Sequence, residues 1–424
     1  MVTVTDTHRS IDAVWRIESA RVIAGLTRMV HDVGLAEELA QDALVAALEQ
    51  WPEQGVPRNP GAWLMTTAKR RAIDRFRRQE RLDRKHQEIA HDLEIQQASD
   101  GADVDATLDG QIEDDLLRLM FISCHPVLKT EARVALTLKL LGGLTTGEIA
   151  RAFLVSESTV AQRIVRAKRA LADADVPFEV PAADELPARL ASVLEAIYLV
   201  FNEGYSATAG DDWMRPELCA EALRLGRILA GLMPTEAEVH GLVALMEIQA
   251  SRTAARTGPS GEPILLLDQN RGRWDHLAIR RGLGALESAE SLAPVRGNYA
   301  MQAALAACHA RARTPEDTDW ARIAALYAEL SERDNSPIIE LNRSVALSMA
   351  FGPAAGLEVA DRLVADGSLS GYHLLPSVRG DFLAKLERYD EARAEFESAA
   401  ALTKNERERT LLLARADDCR ARAL

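Results

Sequence analysis

Apolar positions recur along this chain at the three-and-four spacing of helices, and the pattern predicts an all-α fold. It is clearest from Leu144 to Leu171, LTTGEIARAFLVSESTVAQRIVRAKRAL. Thr145 or Thr146 can cap a first short helix that carries Ile149, Ala150 and Phe153 on one face. Leu154 and Val155 make a turn, and Ser156 caps a second helix, with Thr159 three residues on. Val160, Ile164, Ala167 and Leu171 then fall at helical spacing and must face inward. The opposite face carries Ser158, Gln162, Arg166 and Arg169, flanked by Arg163 and Lys168. This is the layout of a helix-turn-helix, whose second helix fits a major groove. Arg and Gln suit base edges, and flanking cations suit phosphates. A helical hairpin with a solvated basic face would show the same pattern.

Three more helices are predicted upstream. The first runs through Val14, Ile17, Val22, Ile23, Leu26 and Met29. The second, Leu35 to Trp51, buries Leu39, Ala43, Leu44 and Leu48 and leaves Glu37, Glu38, Gln41, Asp42 and Glu49 outside. A loop from Pro52 to Gly61 follows, since no helix passes through Pro57 and Pro60. The third helix, Ala62 to Arg78, has an apolar stripe of Leu64, Ala68, Ala72 and Phe76. Its other face carries Trp63, Thr67, Arg70, Asp74, Arg77 and Arg78, with Arg71 beside them. An aromatic among cations suits unstacked bases, the ring stacking while the cations follow phosphates. A plain amphipathic helix with its Trp in the core has the same composition.

With 424 residues there is room for two to three domains. A net charge of −14 argues against a nucleic-acid binder until its distribution is examined. Trp63 to Lys85 holds nine basic and three acidic residues, whereas Gln87 to Asp115 holds ten acidic residues and no Lys or Arg. Local sign decides what a surface binds. Cys124, Cys219, Cys308 and Cys419 lie far apart and form no CxxC pair, which suits buried thiols in a reducing compartment. No metal site or cofactor motif is expected: Cys124–His125 has no second pair, and P-loop, GxSxG, HExxH and dinucleotide patterns are missing. An enzyme is therefore disfavoured. The N-terminus has no apolar signal core and no apolar run is long enough to span a bilayer, so the expected location is the cytoplasm, without membrane contact.

Two helical modules joined by an acidic tether resemble an extracytoplasmic-function sigma factor, an initiation subunit of bacterial RNA polymerase. AEELAQDALVAALEQW (Ala36 to Trp51) resembles the region-two helix that docks on the polymerase, and GAWLMTTAKRRAIDRFRR (Gly61 to Arg78) resembles the promoter-melting helix. Ala132 to Leu171 resembles region four. The resemblance implies region two at 12–81, an acidic linker at 82–111 and region four at 112–172. It implies polymerase binding through Glu37, Glu38, Gln41, Asp42 and Glu49. The proximal promoter element would meet Trp63, Arg70, Arg71, Asp74, Arg77 and Arg78, and a flipped base would sit in the loop near Arg58 and Asn59. The distal element would be read by Ser158, Thr159, Gln162, Arg163, Arg166 and Arg169. Stacking and a held base, at roughly 1–3 kcal/mol per base, offset the lost duplex stacking. Leu154 departs from the family, which often has Gly at that turn. Leu at a position favouring positive φ would be strained, so either the turn geometry differs slightly or Leu154 packs into its own interface.

Residues 182–424 exceed a minimal sigma factor and read as all helix. Leu383 to Leu402 places Tyr389, Ala392, Phe396 and Ala399 as in a tetratricopeptide second helix, with Gly380 at the small position of the first. Trp320–Leu330, Ile338–Ala350 and Ala354–Val364 echo it. Stacked pairs leave a concave groove for a protein or peptide, so cis regulation is expected of this part. VFNEGYSA (200–207) and LLLDQNRGRW (265–274) stand out, and buried hydrogen bonding is preferred over a ligand pocket for Asn202, Glu203, Asp268 and Arg273. The alternative function is a stand-alone helix-turn-helix regulator with a sensing helical domain.

Overall fold

The computed structural model describes residues 4–79, 105–205, 214–258, 264–403 and 406–423. Its regular structure is helical throughout the described residues, and the chain divides into two compact units, 1–246 and 247–424.

The first unit opens with α1 (Val4–Val30), α2 (Val33–Gln54) and α3 (Pro60–Gln79). Their core is Val22, Ile23 and Leu26 against Leu39, Ala43 and Trp51, closed by Leu64, Ala68, Ala72 and Phe76. The small alanines let the backbones approach, and the stripe expected on α3 is the buried one. α2 continues through Pro52 to Gln54, so the loop is shorter than expected. Pro52 sits in the last turn, and Gly55, at φ 84°, ends the helix with its N–H on the Trp51 carbonyl.

Most of the expected linker falls outside the described residues. Its end does not: α4 (Asp105–Ser123) begins seven residues before the periodicity at Ile112. Acidic composition marks a tether but does not oppose a helix's first turns, where carboxylates suit the dipole. Then come α5 (Thr130–Leu140), α6 (Thr146–Ala152) and α7 (Glu157–Asp173).

Two helices beyond residue 182 belong to this same unit, α8 (Leu186–Tyr205) and α9 (Pro216–Leu232). α8 buries Leu190, Val193, Leu194, Ile197 and Phe201. Ser192 donates to the Cys124 carbonyl at 2.6 Å, Arg133 pairs with Glu195 at 3.0 Å, and Arg224 donates to the Leu141 carbonyl at 2.5 Å. These bonds cap the ends of α4 and α5, so the extension starts as part of the preceding module.

α10 (Ala237–Ala250) leads into the second unit, which contains α11 (His276–Leu292), α12 (Asn298–Arg311) and α13 (Trp320–Arg333). It continues with α14 (Pro337–Phe351), α15 (Pro353–Asp366), α16 (Leu374–Lys385), α17 (Tyr389–Leu402) and α18 (Glu406–Arg422). Helices from α13 on pack on their sequence neighbours around Leu341, Leu357, Phe382, Leu383, Phe396 and Leu412. Gly380 lets the Phe396 ring approach: a Cβ there would lie 3.0 Å from two ring carbons. The tetratricopeptide-like register expected from Leu383–Leu402 therefore has a steric basis.

The turn at residues 264–275 buries other residues than those singled out. Asp268 and Arg273 are exposed, while Gln269, Arg271 and Trp274 are buried. Arg271 donates to the carbonyls of His309 and Ala312 at 2.6 and 2.8 Å and lies over the Trp274 ring at 4.9 Å, closing the end of α12. Glu203, in the first unit, pairs with Arg215.

Candidate nucleic-acid and polymerase interface

The helix-turn-helix is built by its caps. Thr145 caps α6 in a reciprocal box: Glu148 N–H donates to Thr145 Oγ1 at 3.1 Å and Thr145 N–H to Glu148 Oε2 at 2.8 Å. Burial alone would raise the Glu148 carboxyl, but the Thr145 hydrogen bonds and the charges of Arg16 and Arg151 hold it below its ordinary value. Ser156 caps α7 through Thr159 N–H at 3.2 Å. Leu154 between them has φ 48° and is 53% exposed. Neither expected escape from strain holds: the turn keeps its positive φ, and the Leu154 side chain lies in solvent rather than in an interface of this chain.

α7 buries Val160, Ile164, Ala167 and Leu171, which turns Ser158, Gln162, Arg166 and Arg169 outward. Arg169 lies 3.5 Å from Asp173, one turn on. Thr159 is half-buried with its hydroxyl 2.7 Å from Ser156 Oγ, so it completes the cap. Arg163 is half-buried too, and with Val134, Ile149, Phe153, Val160 and Leu199 it lines a cavity of about 180 Å³.

On α3, Arg70, Asp74 and Arg77 are exposed, and the Arg78 side chain lies outside the described residues. Arg71 faces Asp42 at 3.6 Å, and Arg75 pairs with Glu38 at 3.0 Å, so α2 neutralises the near edge of this basic helix. Trp63 is half-buried, edge-on to the buried Trp51 with centroids 5.2 Å apart and planes at 69°. Asn59 Oδ1 accepts the Ala62 N–H at 3.0 Å and so caps α3, while Arg58 is exposed.

The polar face of α2 is uneven. Glu38, Gln41, Asp42 and Glu49 are exposed, but Glu37 is only 4% exposed. Gln41 donates to its carboxylate at 2.5 Å, Lys139 of α5 lies 3.5 Å away, and Lys168 of α7 pairs with it directly. Sequence reasoning missed both lysine contacts, because no local pattern links side chains more than 100 positions apart.

Cys124 and His125 are held by packing. Cys124 is buried 3.2 Å from Thr137 Oγ1, and burial pushes its thiol up to about 11. Burial, and then the charge of Arg189, lowers His125 to about 4. Among the described residues no group of three His, Cys, Asp or Glu could hold a metal ion, and no helix is long and apolar enough to cross a membrane.

Such an arrangement defines a class: an all-helical DNA-binding transcription factor with a basic helix in one module and a helix-turn-helix in the next. Residues 16–82 match sigma-70 region 2, residues 118–171 match sigma-70 region 4, and residues 189–290 match a family of unknown function, DUF6596. The chain is 30% identical over 167 residues to the ECF RNA polymerase sigma factor SigK of Mycobacterium sp. (strain KMS), covering 37% of this chain and 80% of that protein. An uncharacterized protein, R00370, of Rhizobium meliloti (strain 1021) is 43% identical over 388 residues, 91% of this chain and 90% of the relative. No solved structure matches. The chain belongs to the ECF sigma factors and carries an additional C-terminal helical part.

Proposed function

We propose that this sigma factor binds core RNA polymerase through the exposed polar face of α2, opens the proximal promoter element with α3 and reads the distal element with α7. Glu38, Gln41, Asp42 and Glu49 offer the polymerase a charged surface. Arg70 and Arg77 follow the displaced strand's phosphates, and Trp63 with the Arg58 loop receives an unstacked base. Asn59, Arg71, Asp74 and Arg78 are further contacts with the promoter. Ser158, Gln162, Arg166 and Arg169 meet base edges and phosphates of closed duplex, with Thr159 and Arg163 fixing the helix that carries them. The place of action is the cytoplasm. The second unit regulates the factor in cis, its stacked helices offering a groove to a protein or peptide.

The observation that supports this reading is the row on α7: four polar side chains outside, four apolar ones buried opposite. Run-off transcription with core polymerase tests it. Arg166→Ala should lower promoter-specific product by about tenfold or more, the worth of one base contact. Tight binding of closed operators by the chain alone, with no affinity for core polymerase, would instead make it a stand-alone regulator. Ending the chain after Ala250 tests cis regulation: loss of product assigns the second unit a positive role, gain assigns inhibition, and no change removes the idea.

A further inference from the structure

The buried side of α7 fixes what lies opposite to it. Val160, Ile164, Ala167 and Leu171 face inward, and a helix turning about 100° per residue sets one stripe squarely across from them. That stripe is Ser158, Gln162, Val165 and Arg169, all exposed, with Arg166 to one side of it. Three of its members are the polar residues expected of a DNA-reading face. The fourth is a valine, 64% exposed.

In the free protein this valine gains little. A branched side chain loses rotamer freedom in a helix and is a poorer helix former than alanine, and so much exposure leaves little packing to offset that. A lone apolar side chain elsewhere on a surface would signify nothing. Val165 stands on the centre line of the outward stripe, between Gln162 and Arg169, where a helix in the major groove meets base edges.

Those edges carry donors, acceptors and a single kind of apolar group, the C5 methyl of thymine. Against that methyl a valine buries apolar surface on both partners. Against the amino group of cytosine, or N7 and O6 of guanine, it shuts out water and supplies no hydrogen bond. Such a side chain selects by attraction and by exclusion together.

We infer that Val165 is a specificity-determining residue that requires a thymine methyl in the distal promoter element. It stands about 4.5 Å along the axis from Gln162, three residues on. Bases follow one another at about 3.4 Å along a strand, so this thymine lies within about two base pairs of the base that Gln162 meets. The inference rests on the reading of α7 as the helix that enters the major groove of that element.

The full chain with core polymerase is mixed with promoter duplexes whose distal element is randomised, and the bound duplexes are sequenced. The parent should enrich a thymine at one position where Val165→Ala shows no preference, while the variant keeps the preferences set by Gln162 and Arg166. Val165→Ala shortens an exposed side chain and favours the helix, so it should fold as the parent does. Replacing that thymine by uracil removes only the methyl. It should weaken binding by the parent about fourfold, as expected for one buried methyl, and leave binding by Val165→Ala unchanged. Uracil tolerated by the parent at every thymine, or a Val165→Ala selection identical to the parent's, would overturn the inference. If Arg166→Ala also leaves the selection as it was, α7 does not read the element, and the functional reading beneath falls too.

Discussion

In the first unit ion pairs join segments far apart in the chain, Arg16 to Glu148 across 132 positions and Lys168 to Glu37 across 131. In the second they stay between helices one or two places apart, as Arg379 does with Asp361 and Glu395, or Arg415 with Asp381. One unit is a set of modules joined by long-range ion pairs as well as by the packing of α1 on α4. The other is a stack in which each helix is fitted to the next by shape. Charge changes should therefore act on the first through its docking, and volume changes should act on the second through single junctions.

The largest effect is expected where the stack is tightest. A Cβ on Gly356 would stand 2.6 Å from the Ser344 carbonyl and 2.7 Å from Ser348 Cβ, so the backbones of α14 and α15 must part. Gly356→Ala should cost about 2–3 kcal/mol despite alanine's better helix propensity. Gly380→Ala meets no backbone, only the Phe396 ring at 3.0 Å and the Glu395 Cβ at 3.2 Å, which need give by a few tenths of an ångström, and it should stay within about 1 kcal/mol of the parent. Hydrogen exchange read helix by helix should confine the Gly356→Ala loss to the second unit. A uniform loss across both units would show that shape fitting is not what separates them.

Acid should distinguish the units next. His309 is lowered to about 4, by burial first and then by the charges of Arg252 and Arg271. A base with a depressed folded value contributes stability that is present above its unfolded value near 6.5 and is lost as pH falls from there toward 4. Since His309 is partly open to water, the loss should be about 1–2 kcal/mol. His309→Gln should flatten that slope in the second unit. In the first unit His125 titrates in the same sense, and Glu148, held low, adds a loss as pH falls below the ordinary carboxylate range. Asp115 opposes them. Burial raises it despite Arg28 and Arg118, so it gains stability as acid protonates it. Unfolding curves between pH 7 and 4 should thus respond to His309→Gln in the second unit alone.

What could be read from the sequence follows the same division. Stripes and caps lie within one or two turns of helix, so α3, α6 and α7 were visible from their own residues, and so was the Gly380–Phe396 fit. Docking was not. Nothing beside Glu37 announces that its partners are Lys139 and Lys168, and the outward spacing that marked it as exposed holds for α2 taken alone. The 264–275 turn failed for a different reason. Its short 3-10 turns lack a helical period, so sequence gave no way to tell the buried Arg271 from the exposed Arg273. The extension expected from residue 182 begins inside the first unit, because α8 and α9 pack within it, α8 on α5.

The smallest effect is the most local, and it is expected in the DNA-reading unit. Leu154 occupies a left-handed conformation at φ 48° that costs a branched residue roughly 1–2 kcal/mol, and with its side chain in solvent it recovers little by packing. Glycine there would remove the strain but add chain entropy to the unfolded state, worth about 0.5–1 kcal/mol. Leu154→Gly should therefore stabilise the first unit by about 0.5–1 kcal/mol, and Leu154→Asn, tolerant of that conformation, by somewhat less. The turn's bonds, Val155 N–H to Ala150 and Leu154 N–H to Arg151, need no change in either variant. If both variants lose stability, the exposed leucine is making a contact in the free protein that outweighs its strain. If both gain stability but lose run-off product, the leucine is kept for what it touches when DNA or polymerase is bound.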